Sequence, residues 1–124
     1  MNIDFANLQL QYQKYKVDID ASIQAVLNKS NYIMGEEVYE LERVLEGFTG
    51  AKHAITCSSG TDALLLAMMA MDIQPGDEII TTPFTFIATA ETIALMKAKP
   101  VFVDIESDTF NIDANLIEAA ITDK

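Results

Sequence analysis

Cysteine, histidine and arginine each occur once in this 124-residue chain. Each scarcity excludes something. A single Cys57 cannot close an internal disulfide, and it reads as a small core residue at the end of a strand. His53 has no Cys, His or acid at metal-ligand spacing, so no metal site is expected and a surface role is. Apolar stretches such as Ala63 to Ala70 fall well short of the ~20 residues needed to cross a bilayer, and the start, Met1-Asn2-Ile3-Asp4, lacks the basic end, apolar run and cleavage site of a secretion signal. The expected address is the cytosol.

Positive charge is the other shortage. Asp and Glu number 19 against 8 Lys and Arg, a net charge of -11, with Arg43 the only arginine. Nucleic acid and anionic membranes are therefore poor partners. A phosphorylated ligand would have to be met by backbone N–H groups or helix ends, or by residues outside this chain.

No repeat, low-complexity tract or Gly/Ser linker interrupts the chain. Val17, Ile19, Ile23, Val26 and Leu27 recur at helical spacing, and so do Val38, Leu41, Val44, Leu45 and Phe48. Asn28-Lys29-Ser30-Asn31 reads as the stop between these helices, and Glu36 and Glu37 suit the first turn of the second. From Lys52 the pattern becomes α/β. Short apolar runs predict strands at Ala54 to Cys57, Glu78 to Thr81 and Pro100 to Ile105; longer ones predict helices at Thr61 to Met71, Phe86 to Met96 and Asp113 to Ile121. Gln74-Pro75-Gly76-Asp77 is a turn. The expectation is a helical segment over 1–51, then over 52–124 an incomplete, mainly parallel sheet of three strands with crossover helices.

Two turns could carry chemistry. Cys57-Ser58-Ser59-Gly60-Thr61-Asp62 leads from a strand into a helix, whose free N–H groups and positive dipole end favour an anion. The plainer reading is an N-cap by Ser59 or Thr61. The turn is neither a P-loop nor the Gly-x-Gly-x-x-Gly fingerprint. In Thr81-Thr82-Pro83-Phe84-Thr85-Phe86, a strand ends beside two aromatics, on the edge where open α/β sheets bind ligands. One ring could stack on a planar ligand, or both could be core; alternation would set them on one side. Met68, Met69 and Met71 read as helix packing, and Asp104 as a ligand-edge residue or a turn cap.

Five segments together resemble a known family. They are Tyr32-Ile33-Met34-Gly35, Ser58-Ser59-Gly60-Thr61-Asp62-Ala63-Leu64, Pro75-Gly76-Asp77-Glu78-Ile79-Ile80, Thr82-Pro83-Phe84-Thr85-Phe86-Ile87-Ala88-Thr89-Ala90 and Ala98-Lys99-Pro100-Val101-Phe102-Val103-Asp104. In order and spacing they are similar to the DegT/DnrJ/EryC1/StrS family, fold-type-I aminotransferases that use pyridoxal 5'-phosphate on nucleotide-linked keto-sugars in amino-sugar and surface-polysaccharide biosynthesis. The resemblance implies that the turn at Ser59, Gly60 and Thr61 holds the cofactor phosphate and that Phe86 stacks on the pyridine ring. It implies that Tyr32 and Gly35 lie near the active-site mouth, where substrate binds, and that the active site forms in a homodimer. Ala88-Thr89-Ala90-Glu91-Thr92 resembles the branch that aminates C3 of a UDP-linked 3-keto-hexuronic acid with glutamate as donor. The family's cofactor-linked lysine and the acid that pairs with the pyridinium nitrogen come later in a complete chain, so Lys14, Lys16, Lys29, Lys52, Lys97, Lys99 and Lys124 all lie outside the lysine motif. The expectation is an amino-terminal fragment without turnover of its own. A sugar dehydratase with histidine in place of that lysine, or a non-catalytic fragment, are the competing readings.

Overall fold

A computed structural model describes residues 6–124; the reading of Met1 to Asp4 lies outside them. Two compact units divide the chain at Thr56 and Cys57.

The first unit is helical. Helix α1, Leu8–Lys29, begins where the Asn7 side chain accepts the Leu10 N–H at 2.8 Å, bends at Tyr15, and ends at Ser30 in the left-handed region. It starts nine residues before the first apolar position of the expected helix. Helix α2, Glu36–Thr49, has both expected acids in its first turn and Gly50 closing its end at φ +75°. Exposed ion pairs, Lys29 with Glu37 and Arg43 with Glu36, each at 2.8 Å, decorate these helix ends.

The segment after α2 corrects one expectation. Among the described residues Ala54 to Cys57 form no strand. Their N–H groups find side chains instead: Ala54 donates to Glu46 Oε1 at 3.1 Å, and the N–H and hydroxyl of Thr56 both donate to Glu42 Oε1 at 2.9 Å. An apolar run predicts a strand only where a neighbouring strand is present to pair with it. Cys57 is accordingly exposed rather than core, its thiol directed at the Ser59 carbonyl at 3.2 Å.

The second unit is α/β. Its order is α3 (Gly60–Ala70), β1 (Glu78–Thr81), α4 (Ala88–Leu95), β2 (Lys99–Phe102) and α5 (Ala114–Ala120). Strands β1 and β2 pair in parallel, Glu78 opposite Lys99 through Thr81 opposite Phe102. Helix α4 is their crossover, so the parallel sheet is confirmed, with two strands among the described residues rather than three. The second strand ends earlier than expected because Asp104 turns the chain: its carboxylate accepts the Ile105 N–H at 2.8 Å and its carbonyl the Asp113 N–H at 2.9 Å. Gly76 takes φ +98° in the turn before β1, and its N–H donates to the Lys97 carbonyl at 3.0 Å.

Met68 of α3, Ile93 of α4 and Ala98 form the core, flanked by Ile73, Ile79 and Met96. Of the three expected packing methionines only Met68 is buried; Met69 and Met71 are exposed. Adjacent helical positions lie ~100° apart, so one stripe of α3 can face the core. Thr92 is fully buried, its hydroxyl donating to the Ala88 carbonyl at 2.8 Å.

Two outcomes test this packing. Ile93, 2% exposed, should cost about 2–5 kcal/mol of stability when replaced by Ala, read from the urea midpoint. The bonds from Thr56 hold the Glu42 carboxyl below its ordinary value of 4.5. Its contribution is therefore complete above pH 4.5 and fades as the pH falls through the depressed folded value. Acidification and Glu42→Gln should both lower the amide-exchange protection factor of Thr56, measured against the intrinsic rate at each pH, with Gln removing most of the acid dependence of that factor.

Candidate active site

Helix α3 starts where Ser59 stops being helical. At φ -160° and ψ 166° its backbone is extended, its hydroxyl accepts the Asp62 N–H at 3.1 Å, and its carbonyl accepts the Ala63 N–H at 3.0 Å. Two donors remain. Among the described residues no hydrogen bond engages the backbone N–H of Gly60 or Thr61, the first two helical positions. A Cβ built on Gly60 meets nothing within 4 Å, so the backbone there is open to approach. Thr61 is half-buried beside it. Ser59 thus performs the plain capping role, and the same cap leaves an anion-competent end.

Charge at this end is mixed. The Asp62 carboxylate sits in the first turn, favoured by the helix dipole and bonded by the Ser58 hydroxyl. An anion at Gly60 and Thr61 therefore shares the end with one carboxylate. Arg43 is in an ion pair with Glu36. Backbone donors and hydroxyls carry the binding capacity of this turn, and they fit a phosphate monoester in kind: two aligned N–H groups and the Thr61 hydroxyl.

The second turn follows the carboxyl end of β1. Thr82 to Ile87 is a run of bends, not a strand, so strand alternation does not govern Phe84 and Phe86. Neither ring is core: they are 62% and 74% exposed. The Thr82 hydroxyl accepts the Phe84 N–H at 3.2 Å, the Thr85 and Thr89 hydroxyls meet at 3.1 Å, and the Phe86 carbonyl accepts the Thr89 N–H at 3.2 Å. The Phe86 backbone is thereby fixed to the start of α4 while its ring stays open.

The fold draws the two turns together. Leu64, one turn into α3, Thr81, the last residue of β1, and Thr89, in the first turn of α4, line one cavity of about 200 Å³. The amino ends of both helices therefore flank the carboxyl end of β1, where open α/β sheets place ligands. The cavity wall is largely apolar, with Thr81, Thr89 and Thr92 its polar members; Gly60 and Thr61 start the same helix that Leu64 brings to it.

Tyr32 and Gly35 belong to the first unit. Tyr32 is exposed, and Gly35 is buried where a Cβ would stand 2.8 Å from Glu37 Oε2 and 3.0 Å from the Asn31 carbonyl. Close packing at the start of α2 is reason enough for that glycine. The run Ala88 to Thr92 turns inward, Ala88 and Thr92 being buried, so it holds α4 in place. His53 is exposed, and no group of three or more His, Cys, Asp or Glu among the described residues could hold a metal. Sequence patterning passed over Phe110, which packs on Phe84; the turn-forming Asp108-Thr109-Phe110-Asn111 marks its loop but not its contact.

The sequence pattern of the DegT/DnrJ/EryC1/StrS aminotransferase family matches residues 13–124. A Pseudomonas aeruginosa protein, UDP-2-acetamido-2-deoxy-3-oxo-D-glucuronate aminotransferase, is 54% identical over 120 residues, covering 97% of this chain and 33% of its own length. The crystal structure of a DegT DnrJ EryC1 StrS aminotransferase from Brucella abortus superimposes with a TM-score of 0.94 at 40% identity, over 97% of this chain and 32% of that one. NtdA from Bacillus subtilis, solved with bound cofactor PMP, gives 0.86 at 34% identity, over 89% of this chain and 25% of that one. The chain spans about a third of the length of the first two. No helix among the described residues is long and apolar enough to cross a membrane. With its family pattern matched from residue 13 to residue 124 and its partial α/β fold that of the solved members, the chain belongs to the DegT/DnrJ/EryC1/StrS aminotransferase family.

Proposed function

We propose that the complete protein uses pyridoxal 5'-phosphate to place an amino group on C3 of a UDP-linked 3-oxo-hexuronic acid, with glutamate as donor, in cytosolic amino-sugar or surface-polysaccharide biosynthesis. The observation that carries this reading is the 54% identity with the Pseudomonas 3-oxo-glucuronate aminotransferase. The PMP bound to the Bacillus neighbour supports the cofactor, since pyridoxamine phosphate is its aminated form. When bound, the cofactor would supply the amino-carrying chemistry that connects the donor to the keto carbon.

This chain's part is to hold and orient. The N–H groups of Gly60 and Thr61 and the Thr61 hydroxyl receive the phosphate, on a helix end that Ser59 keeps fixed. The open ring of Phe86 lies against the pyridine face and keeps water from it. We assign residues 1–51 to a helical segment, with Tyr32 and Gly35 serving substrate binding, and 52–124 to the start of the cofactor-binding domain. The exposed apolar residues of α2, Val44 and Phe48 among them, fit a homodimer in which such faces are covered. None of the seven lysines here is assigned the covalent link to the cofactor.

The complete protein should therefore retain cofactor after borohydride reduction on a lysine outside residues 1–124, located by peptide mapping. Stoichiometric labelling of Lys52, Lys97 or any other lysine in this chain would refute the assignment. Thr61→Val should weaken cofactor retention about tenfold or more, the usual worth of a hydrogen bond to a charged group, and Phe86→Leu severalfold. Amination by glutamate of a different nucleotide sugar, with the UDP-linked 3-oxo-hexuronate left unreacted, would overturn the substrate.

A further inference from the structure

The loop between β2 and α5 carries a conformational outlier. Phe110 has φ +59°, the left-handed region that a bulky side chain rarely enters. Such strain persists only where the surroundings over-determine it, and here they do. Ile105 and Ile112 bridge in antiparallel fashion, Glu106 donates its N–H to the Asn111 carbonyl at 2.9 Å, and the Phe110 N–H returns to the Glu106 carbonyl at 3.0 Å. Side chains brace the same turn: the Thr109 hydroxyl donates to Glu106 Oε2 at 2.8 Å and accepts the Asn111 N–H at 3.2 Å.

What the strained residue presents is a ring. Phe110 meets Phe84 with centroids 5.6 Å apart and planes tilted by 31°, a favourable aromatic geometry. Both rings are more than half exposed, so burial of apolar area alone does not account for the contact. Phe84 is the middle of the turn whose far end is Phe86. That turn is tied at Thr82 on one side and at Thr85, Phe86 and Thr89 on the other. Its middle leans on Phe110.

We propose that Phe110 is a positioning residue: its strained loop holds its ring against Phe84 and so fixes the turn that aims Phe86 at the cofactor ring. The inference rests on the assignment of Phe86 above and adds a residue from a different loop. Losing the ring lets the turn sample other conformations, and the cofactor then bears the cost of ordering it.

The test uses the complete protein. Phe110→Asn removes the ring while suiting the left-handed backbone, so the loop is not strained further. Phe110→Tyr restores the ring. Cofactor-free Phe110→Asn should show faster amide exchange at Phe84 to Phe86, and its affinity for added pyridoxal 5'-phosphate should fall about two- to tenfold, the range expected for one aromatic pair. The visible circular dichroism of bound cofactor should shrink with it. Phe110→Tyr should return all three to native values. Unchanged exchange and affinity in Phe110→Asn, with Phe86→Leu weakening the cofactor, would overturn the proposal and leave the Phe86 assignment intact. Unchanged affinity in Phe86→Leu would overturn both.

Discussion

Everything in the second unit depends on the parallel pairing of β1 with β2 closed by α4 over Ile93. Parallel neighbours need a crossover, and a crossover helix needs an apolar face to settle on the sheet. Ile93 and Thr92 supply that face, and Met68 brings α3 to the same core. Once α4 is seated, its amino end lies at the carboxyl end of β1. Helix α3 reaches the same place packed beside α4, because its last turn connects through Gln74 to Asp77 back to the start of β1. Two helix amino ends and one strand end are thus brought to a single edge by packing alone.

Under the proposed function, that edge is where so acidic a chain meets a phosphorylated cofactor. Nineteen acids against eight bases repel an anion at long range, and the single arginine is engaged with Glu36. The N–H groups of a helix end need no net charge, and they act at contact distance, where screening matters least. Their individual worth is modest, about 0.3–1 kcal/mol for the dipole at an exposed site. In the proposed function, the Phe86 ring stacked on the pyridine face and a covalent link elsewhere in the complete protein share the task.

Much of this was legible in the sequence for a physical reason: helix periodicity and turn chemistry are local. The helix from Gly60, the crossover α4, the turn at Gly76, the cap at Ser59 and a helix starting near Asp113 follow from residues within a few positions of one another. What was not legible is pairing at a distance. Ala54 to Cys57 has the composition of a strand, yet its N–H groups go to Glu42 and Glu46 on α2, a choice that strand propensity does not encode. The same holds for the site. Ser59, Gly60 and Thr61 announce themselves as a small-residue turn entering a helix, whereas the partnership of Phe84 with Phe110 spans 26 residues and leaves no periodic trace.

The central claim is that the free N–H groups at the start of α3 hold the cofactor phosphate. A crystal structure of the complete protein with pyridoxal 5'-phosphate tests it most directly. The account predicts phosphate oxygens within about 3.2 Å of the backbone nitrogens of Gly60 and Thr61, with the Phe86 ring against the pyridine face. A phosphate held elsewhere, with those two N–H groups bonded to water or to protein, would contradict it.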